Sequence, residues 1–309
     1  MLSAAHCEPL ERLRLTPANR LIWLVFNALI KQMPLARIIM LTSLAMIAFA
    51  ANSLLCRAAL KHSTIDAASF TSMRLLSGAA ILYVIAAMRG SKGCGNWISA
   101  LMLFVYAAGF SFAYVKLSAA TGALLLFGAV QTTMTGYGIL KGERLKTMQI
   151  AGLMLALAGL VILLLPGIAA PPLRASLLML IAGIAWGIYS LRGRGKGNPI
   201  GVTAGNFLRA APIALALSLL MHESASIDRA GFFYAVASGA LASGLGYAIW
   251  YTALPSLKAT QAATVQLGVP VLAALGGIAF LGEPLSLRFI LASIATLSGI
   301  ALVTMKRRG

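Results

Sequence analysis

Between Ile38 and Met305 the chain alternates long apolar runs with short polar gaps, and this pattern predicts ten membrane-crossing helices. They are Ile38–Cys56, Ala67–Met88, Trp97–Val115, Ala119–Leu140, Met148–Leu165, Leu173–Leu191, Ile200–Met221, Gly231–Ala253, Ala259–Leu281 and Ser286–Met305. A helix rising about 1.5 Å per residue needs about 20 apolar residues to cover roughly 30 Å of hydrocarbon. Strict apolar–polar alternation is absent, which excludes a β-barrel. The breaks have local causes. Pro166-Gly167 and Pro171-Pro172 bracket the mid-chain join, and Asn198-Pro199 places a capping side chain before a proline at the first helical turn. Pro284 is expected to do the same for the last helix. The fold class is an all-α integral membrane protein.

The pattern is also written twice. At an offset of 140, Gly142-Glu143 falls on Gly282-Glu283, Gly128 on Gly268, Gly136 on Gly276 and Gly159 on Gly299, with no gap. Nearby offsets set Arg57 and Arg74 against Arg192 and Arg209, and Gly109-Phe110 and Tyr114 against Gly246-Tyr247 and Tyr251. A repeat at a fixed period dictates architecture. It divides the chain into two five-helix halves, 38–165 and 173–305, preceded by an extension at 1–37. That extension carries mixed charge and an apolar run, Leu21–Ile30, too short to span. Lys31-Gln32-Met33-Pro34 follows where a signal peptide would need small residues. The segment reads as an interfacial or cytoplasmic piece, or as the result of a start codon that belongs at Met33 or Met40.

Composition agrees with the pattern: 60% of the 309 residues are hydrophobic and 10% charged, more apolar surface than one soluble core can hide. The formal charge of +18 would point to nucleic acid in a soluble protein, but Lys and Arg sit in the short gaps. Counted by alternate gaps, seventeen lie on one side and six on the other, the remaining two of the 25 being Arg74 and Arg209 inside spans. The positive-inside rule then puts both termini in the cytoplasm of an inner-membrane protein. Five spans per half is an odd number, so the second half enters from the opposite side and the repeats are inverted. Inverted repeats suit alternating access.

This combination resembles the drug/metabolite transporter superfamily, in its ten-helix branch of two EamA-like repeats. The resemblance spans about Arg37 to Arg308 and rests on the two Gly-Glu pairs, on Arg74 and Arg209, and on the glycine-containing fifth and tenth helices. It implies a secondary carrier working without ATP, often an exporter of amino acids or other small metabolites. The extension at 1–37 departs from the family pattern.

Several polar and aromatic side chains inside spans are candidates for a substrate cavity, because hydrocarbon does not tolerate unpartnered polar groups. They are Asn52, Gln131, Gln261 and Gln266, with Phe110 and Tyr114 on helix three, Trp186 and Tyr189 on helix six, and Tyr247, Trp250 and Tyr251 on helix eight. Packing and helix-to-helix hydrogen bonding is the bland alternative for each. Arg74 and Arg209 are open between contact with a substrate carboxylate and a bond to a neighbouring carbonyl, with snorkelling as a third outcome. Glu143 and Glu283 are expected to cap helix ends rather than couple transport.

Other chemistry is poorly represented. Cys7, Cys56 and Cys94 show no metal or redox spacing, and His6, His62 and His222 lie outside the spans. No metal ligand set, serine–histidine arrangement or cofactor motif is readable, and Gly193–Gly197 lacks the Ser or Thr of a phosphate loop. An intramembrane enzyme and a non-transporting scaffold stay as alternatives to a carrier. Every acidic residue, Glu8, Glu11, Asp66, Glu143, Glu223, Asp228 and Glu283, falls in a terminus, loop or helix end. Export of lipophilic cations against protons needs a buried acid. Neutral, zwitterionic or anionic small-molecule cargo is expected instead.

Overall fold

The computed structural model describes residues 34–91, 94–140, 147–165, 170–193, 198–257, 265–266 and 268–304. The expectations for residues 1–33, for Gly142-Glu143 and for Gln261 lie outside that set. Among the described residues the helices are α1 (Leu35–His62), α2 (Ala67–Met88), α3 (Trp97–Tyr114), α4 (Ala119–Leu140), α5 (Thr147–Leu164), α6 (Leu173–Gly193) and α7 (Pro199–Leu220). The helix α8 (Arg229–Ser256) follows, then α9 (Gly268–Leu281) and α10 (Leu287–Thr304). The first eight are long and apolar enough to cross a membrane, and the last two are shorter apolar helices. Large exposed side chains such as Leu140, Met154, Leu220 and Phe280 face outward, where lipid replaces water. The chain is an all-α, multi-pass membrane protein.

Most boundaries move by a few residues from the sequence reading, and two of the changes have clear local causes. The first helix runs to His62 rather than stopping at Cys56, because Arg57 and Lys61 find partners at the helix end. Pro284 does not open α10. Ser286 does, its Oγ accepting the Phe289 N–H at 3.1 Å.

The helices pair α5 with α10, α2 with α7, α3 with α6 and α1 with α8. They also pair α4 with α6, α1 with α9, α2 with α8 and α3 with α7. Exchanging helix n for helix n+5 turns this set of pairs into itself. At the α5–α10 seam the repeat-matched glycines are the reason for the contact. A Cβ on Gly159 would come 2.8 Å from Thr296 N and 2.9 Å from Ala292 O, and one on Gly299 would collide with Gly152 O and Ala156 N. Backbone approach this close needs small residues on both helices.

The bundle ends are tied by caps. At one end Asp66 caps α2 by accepting the Ala68 and Ser69 amides, both at 2.9 Å, and its second oxygen accepts Ser226 N at 3.0 Å. Asp228 caps α8 at Gly231 N and reaches back to Thr64 N. At the other end Asn96 caps α3, Asn198 caps α7, and Asn206 Oδ1 accepts Asn96 N at 3.0 Å. Arg192 at the end of α6 bonds both Ser99 and Asn96.

Glu283 also caps, but the helix it serves is α4. Gly282 takes the left-handed conformation (φ 60°) after α9, and the Glu283 N–H turns back onto Gly277 O at 3.0 Å. The residue is then 6% exposed, with Oε2 accepting Ala119 N at 2.8 Å and Oε1 paired with Arg57 Nε at 2.9 Å. Arg57 Nη1 meanwhile bonds the Tyr114 and Val115 carbonyls at the end of α3. One ion pair thus joins α1, the α3–α4 elbow and the end of α9.

Two outcomes are expected. Gly299→Leu forces α5 and α10 apart at a cost of about 1–3 kcal/mol or more, so the purified variant melts at lower temperature; unchanged melting would mean the seam carries no stability. For Asp66, burial opposes ionisation, but hydrogen bonds from Ser69, Ser226 and Ala68 outweigh it and hold its carboxyl below the usual range. Its contribution is therefore full above an unfolded pKa of about 3.9 and is lost as pH falls through the lower folded value. Melting temperature should drop on acidification below about pH 4, and Asp66→Asn should flatten part of that drop; parallel profiles would refute the assignment.

Candidate substrate cavity

The interior of the bundle is built around Trp186 of α6. Its ring lies 4.9 Å from Tyr106 of α3, 4.9 Å from Tyr247 of α8, 5.6 Å from Tyr189 and 6.1 Å from Phe49 of α1, centroid to centroid. Trp250 and Phe207 extend the cluster through Phe49 and Tyr247. A small cavity in its midst is lined by Phe49, Asn52, Ser53, Tyr106, Phe110, Leu126, Phe127, Trp186 and Tyr247. It has room for about one water molecule as it stands.

Arg74 of α2 is packed beside it and is 1% exposed. Its guanidinium lies over the Tyr106 and Phe110 rings, 5.1 and 4.8 Å from their centroids. Nη2 donates to Tyr106 Oη at 3.0 Å and Nε to Ser243 Oγ at 3.2 Å, whereas Nη1 is buried with no hydrogen-bond partner. Hydrogen bonds to a charged group contribute about 1.5–3 kcal/mol each and a desolvated cation–π contact about 2 kcal/mol. These offset much of the several kcal/mol that burying an ion costs. They leave the Nη1 group unspent.

A chain of hydrogen bonds ties this arginine to α1 and α8. Ser238 Oγ donates to Asn52 Oδ1 at 2.7 Å, and Asn52 Nδ2 donates to Tyr106 Oη at 3.3 Å. Ser238 and Ser243 reach the same network because residues Ala237–Leu245 are π-helical. In an α-helix, positions five apart point about 140° away from each other. Stacking i over i+5 brings them to one face. The small residues of the segment let it approach: a Cβ on Gly239 would overlap Arg74 O and Ser77 Oγ, and one on Gly244 would overlap Ile81.

Of the residues singled out in the sequence, Asn52, Phe110, Trp186 and Tyr247 line the cavity; Arg74, Tyr189 and Trp250 pack on its walls. The others lie elsewhere. Tyr114 is spent at the α3–α4 elbow, donating to Ala119 O at 3.2 Å beneath Gly122. Tyr251 reaches Gly193 at the end of α6. Arg209 is half-buried and turns onto Gly205 O of its own helix at 2.8 Å. Gln131 lines a separate small cavity with Thr132, Thr135, Leu153, Ala156 and Ile300, between α4, α5 and α10. Gln266 is buried just ahead of α9. The sequence reading passed over Phe49, Ser53, Phe127, Ser238 and Ser243. Phe49, Asn52, Ser53 and Cys56 form a buried stripe at helical spacing on α1, which was a usable signal.

Comparison with known proteins gives this cavity a context. Residues 173–305 match the EamA-like transporter family. An uncharacterized protein of Pseudomonas aeruginosa is 58% identical over 280 residues, covering 90% of this chain and 98% of its own. An uncharacterized transporter of Archaeoglobus fulgidus is 29% identical over 171 residues, 53% of this chain and 60% of its own. A second from the same organism is 24% identical over 210 residues, 64% and 71% of the two chains. Among solved structures, a crystal structure with 22% identity superposes with a TM-score of 0.62 over 85% of this chain and 98% of its own, which speaks to the fold. With the family matched over the second half and a close relative aligned over nearly the whole length, the chain belongs to the EamA-like transporter family.

Proposed function

We propose that the protein is a secondary transporter that moves a small metabolite through the Trp186-centred cavity by alternating access, as an exporter or exchanger. The observation that carries this reading is a small interior cavity, lined by aromatic rings with Asn52 and Ser53 among them, lying where helices from both halves meet. Support for two inverted halves, 38–165 and 173–305, comes from the most extensive helix pairs, a set unchanged when n and n+5 are exchanged. Sequence-equivalent residues also sit in unequal surroundings, Arg74 sealed inside and Arg209 half-buried on its own helix. Two halves of similar sequence held in different local states are what alternating access requires.

The cargo in this reading is neutral, zwitterionic or anionic. Among the described residues, none of the acids at helix ends, Asp66, Asp228 and Glu283, is free to exchange a proton for a cation, and Asp228 is spent as the cap of α8. Asp66 is spent as a cap, and both oxygens of Glu283 are engaged by Arg57 and the α4 amide. The lipid bilayer is the other partner, with the chain in the inner membrane and both termini cytoplasmic.

Counterflow in proteoliposomes holding only this protein tests the reading. Saturable exchange of a small metabolite is expected, with no requirement for an imposed pH gradient. Asn52→Leu keeps the side-chain volume while cutting the Ser238–Asn52–Tyr106 link, and should lower flux by about tenfold, the scale of one buried hydrogen bond lost, at near-normal membrane abundance. Abundance falling in step with flux would assign Asn52 to packing alone. Topology is checked separately: reporters after Arg308 and within 192–196 should read cytoplasm and one near Glu223 the outside. An external C-terminus would end the inverted-repeat argument.

A further inference from the structure

We infer that the cavity selects its cargo by a carboxylate held on Arg74, and that the preferred ligand is a small monocarboxylate with an apolar body and no ammonium group. This rests on the transporter reading and narrows it. The argument is a count of donors and acceptors. Arg74 Nη1, Ser53 Oγ and Tyr247 Oη are buried at the cavity without hydrogen-bond partners. Tyr106 Oη already accepts from both Arg74 and Asn52, so its own O–H is left to point at Tyr247 Oη or at a ligand.

Anionic acceptors are missing there by contrast among the described residues. Asn52 Oδ1 takes the Ser238 hydroxyl, Ser243 Oγ takes Arg74 Nε, and among the described residues no carboxylate touches the guanidinium. A full positive charge ringed by unspent donors calls for an anionic acceptor. A carboxylate meets that need with two oxygens and matches the fork of a guanidinium. The remaining walls, Phe49, Leu126, Phe127 and Trp186, are apolar and fit a hydrocarbon or aromatic body. An ammonium would find ring faces and the Ser53 and Tyr247 hydroxyl oxygens, but no anion, and it would stand beside an uncompensated guanidinium of the same sign.

In the present conformation the cavity is too small for such a ligand, so binding must widen it and stabilise the widened state. That makes a thermal shift of the purified full-length protein in detergent a direct readout. The probes are 3-phenylpropionate, its neutral isostere 3-phenylpropionamide, and L-phenylalanine. The acid should raise the melting temperature saturably, the amide should not, and L-phenylalanine should act with weaker apparent affinity. Arg74→Gln should cut the apparent affinity for the acid by on the order of a hundredfold or more, the scale of breaking a buried charge pair. Tyr106→Phe keeps the ring and removes the hydroxyl; a loss of about tenfold is expected, and this variant carries the test if Arg74→Gln does not fold.

Equal response to acid and amide, affinity for the acid unchanged in either folded variant, or no response to any probe at millimolar concentration would overturn the carboxylate assignment. L-phenylalanine binding as tightly as the acid would overturn the exclusion of an ammonium. Proteoliposome flux of a cargo lacking a carboxylate would leave the transporter reading standing while removing this one. Saturable binding of the acid with no flux of any cargo would do the reverse.

Discussion

The structure is arranged around one costly fact, a guanidinium with its charge sealed in the bundle interior and no carboxylate beside it among the described residues. A group in that position must be hydrogen-bonded or it unfolds its surroundings. Tyr106, Ser243 and two ring faces meet most of the demand, and each of these partners is itself fixed by something else. Tyr106 is held by Asn52, Asn52 by Ser238, and Ser238 by the π-helical stretch of α8. The network therefore couples α1, α2, α3 and α8 more tightly than apolar packing would, because in lipid the helices gain little from hiding apolar surface from one another.

Backbone geometry makes the network possible. Gly78 of α2 and Gly239 of α8 meet where a Cβ on Gly78 would lie 3.0 Å from Gly239 O. Only that approach lets Ser243 reach Arg74 from the neighbouring helix. A π-helical turn costs hydrogen-bond geometry and is seldom kept without a return. Here the return is two serines, five apart, aimed at one polar centre. Widening or tightening that segment would change both contacts at once, so the site and the α2–α8 crossing behave as one mechanical unit.

Much of the fold was readable in the chain because bilayer thickness imposes run length, and the glycine repeat at offset 140 marked a contact that exists: Gly159 and Gly299 face each other's helices across the α5–α10 seam. The same repeat misled where symmetry of sequence is not symmetry of position. Arg74 and Arg209 look equivalent along the chain, yet only Arg74 enters the core. Tyr114 and Tyr251 share a stripe with cavity residues, but one further turn carries each to a helix end. Ser238 and Ser243 were invisible for a different reason. Periodicity was counted at 3.6 residues per turn, and the local helix does not have that period.

The two ends of the bundle differ in what holds them. One end uses Asp66, Asp228 and the Arg57–Glu283 pair; the other uses Asn96, Asn198 and Asn206. The Arg57–Glu283 pair, with side chains 14% and 5% exposed, is mostly withdrawn from water, so parting it without rehydration would leave two uncompensated charges and would be strongly destabilising. The glycine seam between α5 and α10 is held differently, by close-packed backbone whose separation exchanges contact for lipid or void. A motion that let water in at the Arg57–Glu283 end would lower the first cost and would free α1 from the α3–α4 elbow while leaving α5 and α10 packed. The same α1 carries Phe49, Asn52 and Ser53 on the cavity wall, so a displacement that begins at the bundle end arrives at the arginine network without needing any other relay.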